Sequence, residues 1–245
     1  MLRDPTAPTF AALSHGGATL LNYRGVTHPS LPNYLALVSG STHGIVTDCT
    51  RCLVSGRSLA DTLEAAGHSW KTYAEGLPRA GFTGAFAGRY AKKHEPFVYF
   101  RRVLASPSRR SRVVPFTAFG RDLAAGGLPD YSLVVPDLCN DMHDCSVATG
   151  DRWLARFIAP LLASPQMRGG VVFVVFDESD DSNVGGGGIV PALVVGPLVR
   201  SGARPRVVLD HYSLLRTIED SWGLPHLGRS ARARPITGIW KTPAS

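Results

Sequence analysis

Apolar and polar positions in this chain fall into two alternating kinds of segment. Short strand-like runs occur near Thr19 to Val26, Ser69 to Tyr73, Tyr131 to Val135, Gly170 to Phe176 and Ala192 to Val195. The valine-rich run that ends at Phe176 is almost wholly apolar, which suits a strand buried on both faces of a parallel sheet. Helical patterns lie between them, near Leu31 to Ser39, Ser58 to Ala66, Phe116 to Ala125, Asp151 to Ala163 and Tyr212 to Trp222. Ser58-Leu-Ala-Asp61 reads as a capping segment, with Gly67 as the stop of its helix. Gly40 stops the helix that starts near Leu31. Strands alternating with helices predict an α/β protein, a three-layer α/β/α sandwich around a mostly parallel sheet. No repeat interrupts the pattern, so one domain is expected over residues 1–245.

Bulk composition narrows the class. At 245 residues the chain can bury one substantial core. Its Gly and Pro content implies many ordered loops rather than disorder, because the apolar share is 44%. No run approaches the roughly 18 uninterrupted apolar residues of a membrane span, so no stable membrane insertion is expected. Met1-Leu-Arg-Asp-Pro is polar and loop-like, and no signal peptide is visible in this chain. The net charge of +7, with arginines concentrated between Arg101 and Arg112, would attract phosphorylated substrates, anionic lipid or nucleic acid. No helix-turn-helix, zinc-finger or aromatic RNA-binding signature accompanies it, so the arginine segment reads as an exposed loop and nucleic acid is not the expected partner. Cys49, Cys52, Cys139 and Cys145 form two close pairs. The second spacing is wrong for a zinc ribbon, and three disulfide connectivities are open.

Three polar segments hold the candidate chemistry. Thr27-His28-Pro29-Ser30-Leu31-Pro32-Asn33-Tyr34 places a hydroxyl at a helix mouth, where unpaired N–H groups and partial positive charge suit a phosphate. Ser30 reads either as the N-cap of that helix or as a nucleophile. Asp177-Glu178-Ser179-Asp180-Asp181 follows an apolar run, at the carboxyl end of a strand, where ligands of open α/β sheets collect. Four carboxylates there repel one another unless a cation lies among them, and a hard divalent metal at Asp177 and Glu178 answers that. Asp180 and Asp181 read as a solvated loop. Pro136 to Cys145 is dense in Asp, Asn and His. His143 is its candidate for gripping an anion or protonating a leaving group, with Asp141 and Asp144 as turn formers. Glu75 reads as a solvated loop carboxylate. Gly185 to Gly188 lacks the Lys-Ser or Lys-Thr of a phosphate loop and reads as a flexible connection.

Taken together, these stretches resemble the bacterial phosphoesterase family of secreted acid phosphatases, phosphatidylinositol-3-phosphatases and phospholipases C. The matching segments are His28 to Leu37, Tyr90 to Phe97, Asn140 to Asp144, Gly150 to Leu154, Asp177-Glu178, His211 to Asp220 and Pro235 to Trp240. They keep the family's order over nearly the whole chain, and the pattern is similar to the alkaline-phosphatase-like superfamily. The resemblance implies metal-dependent hydrolysis of phosphate monoesters through a phosphoserine. It puts the nucleophile at Ser30, a phosphate-contacting amide at Asn33 and a substrate-contacting histidine at His143. It puts a divalent metal on Asp177, Glu178 and the Ser30 oxygen. His94 and Lys92 would donate to phosphate oxygens, His28 would orient the Ser30 turn, and His211 opens a helix. His15, His43, His68 and His226 are expected to be structural.

The resemblance also implies a phosphorylated small molecule or phospholipid head group as substrate, a secreted or cell-envelope location and disulfides rather than zinc at the cysteines. Phospholipase C action, or binding of phosphorylated ligands without turnover, are the competing readings. A serine esterase would need a Gly-x-Ser-x-Gly turn, which Ser30 lacks. One departure matters. Family members begin with a buried strand ending in Glu-Asn that supplies two metal ligands, and Met1 to Asn22 matches the region just after it. The chain is therefore expected to be N-terminally truncated relative to the family. Strand edges beside the missing strand should be unpaired, and metal affinity and activity should be poor.

Overall fold

A computed structural model describes Leu2 and residues 4–179 and 182–242 of the chain. The first elements are α1 (Pro8–Gly16), β1 (Ala18–Thr19), β2 (Tyr23–Arg24), α2 (Ser30–Ser39), α3 (Leu59–Ala65) and β3 (Trp70–Ala74). Next come the strands β4 (Phe86–Ala87) and β5 (Tyr90–Ala91), the 3₁₀ turns Lys92–His94 and Pro96–Tyr99, and the helices α4 (Arg101–Leu104) and α5 (Pro107–Arg110). Then follow β6 (Val113–Pro115), α6 (Thr117–Ala124), β7 (Tyr131–Val135), α7 (Val147–Ala163), β8 (Val172–Val175), β9 (Ala192–Val195), β10 (Leu209–Asp210) and α8 (His211–Ser221).

Strand alternation sorts the core into two layers. Trp70 and Ala74 of β3 join Leu31, Leu35, Leu59, Leu63, Leu214 and Leu215 in one apolar cluster, from α2, α3 and α8. Tyr73 faces the opposite side, with Phe10, Phe119, Trp153, Leu154 and Ile158 from α1, α6 and α7. Val194 and its neighbours Leu193 and Val195 split between the clusters in the same way. This is the period-two signature of a sheet covered on both faces. Full burial of a leucine such as Leu35 is worth roughly 1.5–3 kcal/mol, so these faces fix which way each strand can lie. The predicted capping segment forms: Ser58 N donates to Asp61 Oδ2 at 2.9 Å, and Gly67 takes a left-handed φ of 83°.

The α/β class and both helical layers match the sequence pattern, but the strand directions are mixed. β3 lies between β6 and β7, parallel to both, with Trp70 opposite Tyr131 and Ala74 opposite Val135. β9 lies between β1 and β8, antiparallel to both, and β2 pairs parallel with β10. The strand-like run Thr19 to Val26 is therefore two short strands rather than one. The outer edges of β7 and β8 have no ladder partner among the described residues. Apolar Leu133, Val134 and Val172 to Val175 remain partly exposed there.

The four cysteines form two local disulfides, Cys49–Cys52 and Cys139–Cys145. The second closes the polar loop after β7. No helix among the described residues is long and apolar enough to cross a membrane.

Candidate active site

Ser30 is the first helical residue of α2 and not its cap. Pro29 occupies the cap position in extended conformation, with no side-chain cap bond. The Ser30 hydroxyl is therefore free of the helix end. It donates to Glu178 Oε1 at 2.9 Å, joining the helix mouth to the tip of β8. His28 Nδ1 contacts the other carboxylate oxygen of Glu178. Glu178 thus meets a hydroxyl on one side and an imidazole on the other, with its own side chain only 16% exposed.

Asn33 is fully buried. Its Oδ1 accepts from the amides of Val26 at 2.9 Å and Thr27 at 3.2 Å, and its Nδ2 donates to the carbonyls of Thr27 at 2.8 Å and Pro29 at 3.1 Å. Two acceptor and two donor positions exhaust a carboxamide. Asn33 therefore ties down the loop that presents Ser30, which differs from the phosphate contact the resemblance implies.

Asp177 sits beside this pair with Oδ2 buried and unpartnered. Its carbonyl lies 2.7 Å from Nε2 of buried His211, whose Nδ1 lies 3.1 Å from the Tyr23 hydroxyl. Asp210 caps α8, accepting from Ser213 N at 2.9 Å, so His211 is left to brace the strand tip. Tyr34, one turn into α2, faces the same acidic edge. Burial and the charges of Asp177, Asp141, Glu95 and Glu178 push its phenol well above the usual range.

The glycine run after β8 is not a loose connection. Gly25 N donates to Gly188 O at 2.9 Å and Gly187 N to Gly25 O at 3.1 Å. Gly186 has φ +106°, and a Cβ there would stand 2.3 Å from the Val26 carbonyl oxygen. Only glycine lets this backbone lie against the residues leading to Ser30. The four consecutive glycines carry this signal in the sequence, since such a run permits close backbone approach without any phosphate-loop lysine. Asp180 and Asp181, expected as a solvated loop, lie outside the described residues.

The loop after β7 forms the opposite wall. Glu75 Oε2 accepts from Asp137 N at 3.0 Å and Asn140 Nδ2 at 2.9 Å, so this carboxylate is a loop anchor rather than a solvated group. His143 is half-exposed, with Nδ1 2.7 Å from Asp144 Oδ1 and Nε2 3.2 Å from Lys93 Nζ. Lys93 also donates to Asp48 Oδ2 at 3.1 Å, while Asp48 Oδ1 accepts from the Leu31 amide at 2.9 Å. That relay leads from the residue after Ser30 to His143. Asp48, Lys93 and His143 line a cavity of about 240 Å³ with Thr50, Ala85, Phe86 and Leu138. Lys92 does not face it. Its ammonium donates to Thr50 O at 2.7 Å and lies 4.4 Å from the centre of the Tyr99 ring, and burial lowers its pKa. Adjacent positions in the 3₁₀ turn point apart, so the lysine at the cavity is Lys93, which sequence reading passed over. His94 is buried, stacked on Tyr34 at 5.1 Å, with Nδ1 3.1 Å from Asp141 Oδ2. Its Nε2 is buried and unpartnered.

The oxygen donors fit a hard divalent cation in kind, since a buried carboxylate oxygen without a partner, as at Asp177, calls for one. They fall short in number. Among the described residues no group of three or more His, Cys, Asp or Glu side chains is placed to hold a metal ion.

Comparisons with known proteins agree with this architecture. The model of the Phosphoesterase family matches residues 2–225. Over 98% of its length the chain is 37% identical to a phosphatidylinositol-3-phosphatase of Mycobacterium tuberculosis, covering 78% of that protein. Over 89% of its length it is 34% identical to a probable acid phosphatase of Kluyveromyces lactis, and it spans about half of that relative, 54%. Among solved structures, a protein in the alkaline phosphatase superfamily from Vibrio parahaemolyticus superposes with a TM-score of 0.61 at 14% identity, over 95% of this chain and 65% of that one. The fold is thus the α/β architecture of that structure. By sequence, the chain belongs to the Phosphoesterase family, a family of phosphoric ester hydrolases.

Proposed function

We propose that this protein is a phosphomonoesterase in which Ser30 attacks phosphorus and holds the phosphoryl group as a phosphoserine. The observation that carries the reading is the bond from Ser30 Oγ to Glu178 Oε1, which gives a hydroxyl at a helix mouth a carboxylate acceptor. Glu178 takes the hydroxyl proton as the serine oxygen forms its bond to phosphorus, and His28 fixes the carboxylate from its other side. The positive end of the α2 dipole, together with Lys93 and His143, draws the phosphate's negative charge. The leaving oxygen takes a proton, for which His143 is the nearest exposed donor to the cavity. Water then cleaves the phosphoserine, returning the proton to Ser30 and releasing inorganic phosphate. His94 and Lys92 act behind this surface, packing Tyr34 and the Thr50 loop.

Asp177, Glu178 and Ser30 would hold the divalent metal, with the orphaned Oδ2 of Asp177 as its best anchor. Such an ion would supply positive charge that lowers the serine pKa and stabilises the transferring group. Weak binding is expected from so few ligands. Phosphatase names among the relatives support a phosphorylated small molecule or phospholipid head group as substrate. Two disulfides support an exported protein, since such bonds persist in oxidising compartments.

The test is release of inorganic phosphate from monoesters, with and without millimolar divalent metal or a chelator. Weak, chelator-sensitive turnover is expected, with phosphate trapped on Ser30 after an acid quench and loss of about 10³-fold or more in Ser30→Ala. Turnover surviving in Ser30→Ala would remove the nucleophile from this reading. Release of diacylglycerol instead of phosphate would reassign the reaction to a phospholipase C.

A further inference from the structure

The cavity beside the candidate site has two unlike walls. Asp48, Thr50, Lys93 and His143 form a polar side; Ala85, Phe86 and Leu138 form an apolar one. Phe86 is 60% exposed and lines the cavity beside Ala85 and Leu138, so its ring is open to a bound molecule. Its position is fixed from both ends of the β4–β5 hairpin. Lys92 N donates to Ala85 O at 2.9 Å, and Leu138 N donates to Arg89 O at 3.1 Å. The hairpin is thus clipped to the turn that bears Lys93 and to the loop that bears His143. His143 sits inside the loop closed by the Cys139–Cys145 disulfide, and Leu138 immediately precedes it.

Resting on the phosphomonoesterase reading, we propose that this cavity is the leaving-group subsite and that Phe86 selects phosphomonoesters of aromatic or flat apolar alcohols. The polar wall lies toward Ser30, through Asp48 and the Leu31 amide, and takes the phosphate end. The apolar wall then faces the alcohol. An aromatic ring fits it by offset stacking on Phe86. A small polar alcohol such as glycerol gains nothing from it.

Turnover of 1-naphthyl phosphate and of glycerol phosphate is compared in the native chain, Phe86→Ala and Phe86→Leu. Aryl alcohols leave more easily in any enzyme, so the informative quantity is each variant's kcat/KM relative to native for the same substrate. Losing one apolar contact in a pocket costs about tenfold or more, so Phe86→Ala should lose about that factor on naphthyl phosphate and under about twofold on glycerol phosphate. Phe86→Leu should recover most of the loss. Equal losses on both substrates, or none on naphthyl phosphate, overturn the proposal. Absence of turnover on any ester would fail the phosphomonoesterase reading instead. In that event fluorescence titration with 1-naphthylphosphonate still decides the subsite. Weaker binding by Phe86→Ala upholds it, and equal binding sinks it.

Discussion

His211 holds Asp177 by its backbone: Nε2 lies 2.7 Å from the Asp177 carbonyl, across 34 residues of sequence. The other ring nitrogen lies 3.1 Å from the Tyr23 hydroxyl, so the imidazole bridges β2 and the tip of β8. Burial lowers the His211 pKa, which keeps the ring neutral, able to donate on one side and accept on the other. Replacing it by Phe keeps the volume and leaves a buried hydroxyl and a carbonyl unpaired. The expected cost is about 2–4 kcal/mol in urea unfolding, from two orphaned polar groups. Turnover should fall more than KM rises, because the substrate does not touch this residue.

Asn33 gives a sharper division between contact and support. An amide that gripped phosphate would show its loss chiefly in binding, and inorganic phosphate would inhibit the variant weakly. The observed bonds all run to the loop from Val26 to Pro29. Asn33→Asp cannot donate to the Thr27 and Pro29 carbonyls and should unfold at about 2–4 kcal/mol lower stability. In the surviving folded fraction, kcat should drop while inhibition by phosphate stays within about threefold, since Lys93, His143 and the positive end of the α2 dipole are unchanged. Phosphate inhibition weakened far beyond that would return Asn33 to the substrate.

Lys92 and Lys93 make a matched pair of opposite outcomes. Lys93→Met should raise KM for phosphate esters several-fold, because it removes one charge from the cavity wall, and should leave the unfolding midpoint nearly unchanged. Lys92→Met removes a bond to Thr50 O and a cation over the Tyr99 ring. Its ammonium is already disfavoured by burial, so the net change in stability is expected within about 1–2 kcal/mol. KM should hardly move. Steady-state kinetics beside thermal melts separate the two.

Much of this arrangement was legible in the residue order. The run Tyr131 to Val135 became β7 residue for residue, and Ala192 to Val195 became β9, because long-range burial and local propensity agree there. Ser30 and Asp177-Glu178 were both placed at element ends, and the fold brings them together. What failed was direction and spacing at finer scale. Lys92 and Lys93 are chemically alike, and only the geometry of a three-residue 3₁₀ turn decides which one meets the cavity. Ser30 read as a cap because capping hydroxyls are common. A helix that starts at Ser30 itself, after an extended Pro29, cannot be told from one that starts a residue later by pattern alone. The Phe86 hairpin was invisible, since two-residue strands leave no period to count.

Glu95 predicts how stability responds to pH. It is fully buried behind His94, accepting from Phe97 N at 3.2 Å, with Oε2 unpartnered. Burial pushes its pKa from 4.5 up to about 8, against smaller opposite pulls from the Phe97 amide and Thr72. In the unfolded chain the carboxyl loses its proton above pH 4.5, whereas the folded chain keeps it until about pH 8. Between those values the native state binds more protons, so stability falls as pH rises, by at most about 1.4 kcal/mol per pH unit from this group. The stabilisation is complete below pH 4.5 and gone above about pH 8. Glu95→Gln keeps the shape and removes the titration. Urea unfolding at pH 5, 6, 7 and 8 should show the native chain losing stability across the series and the variant following a flatter line, with its relative disadvantage greatest at pH 5. Parallel lines for the two proteins would mean that the carboxyl is ionised in the fold throughout, with a cation or buried water answering its free oxygen.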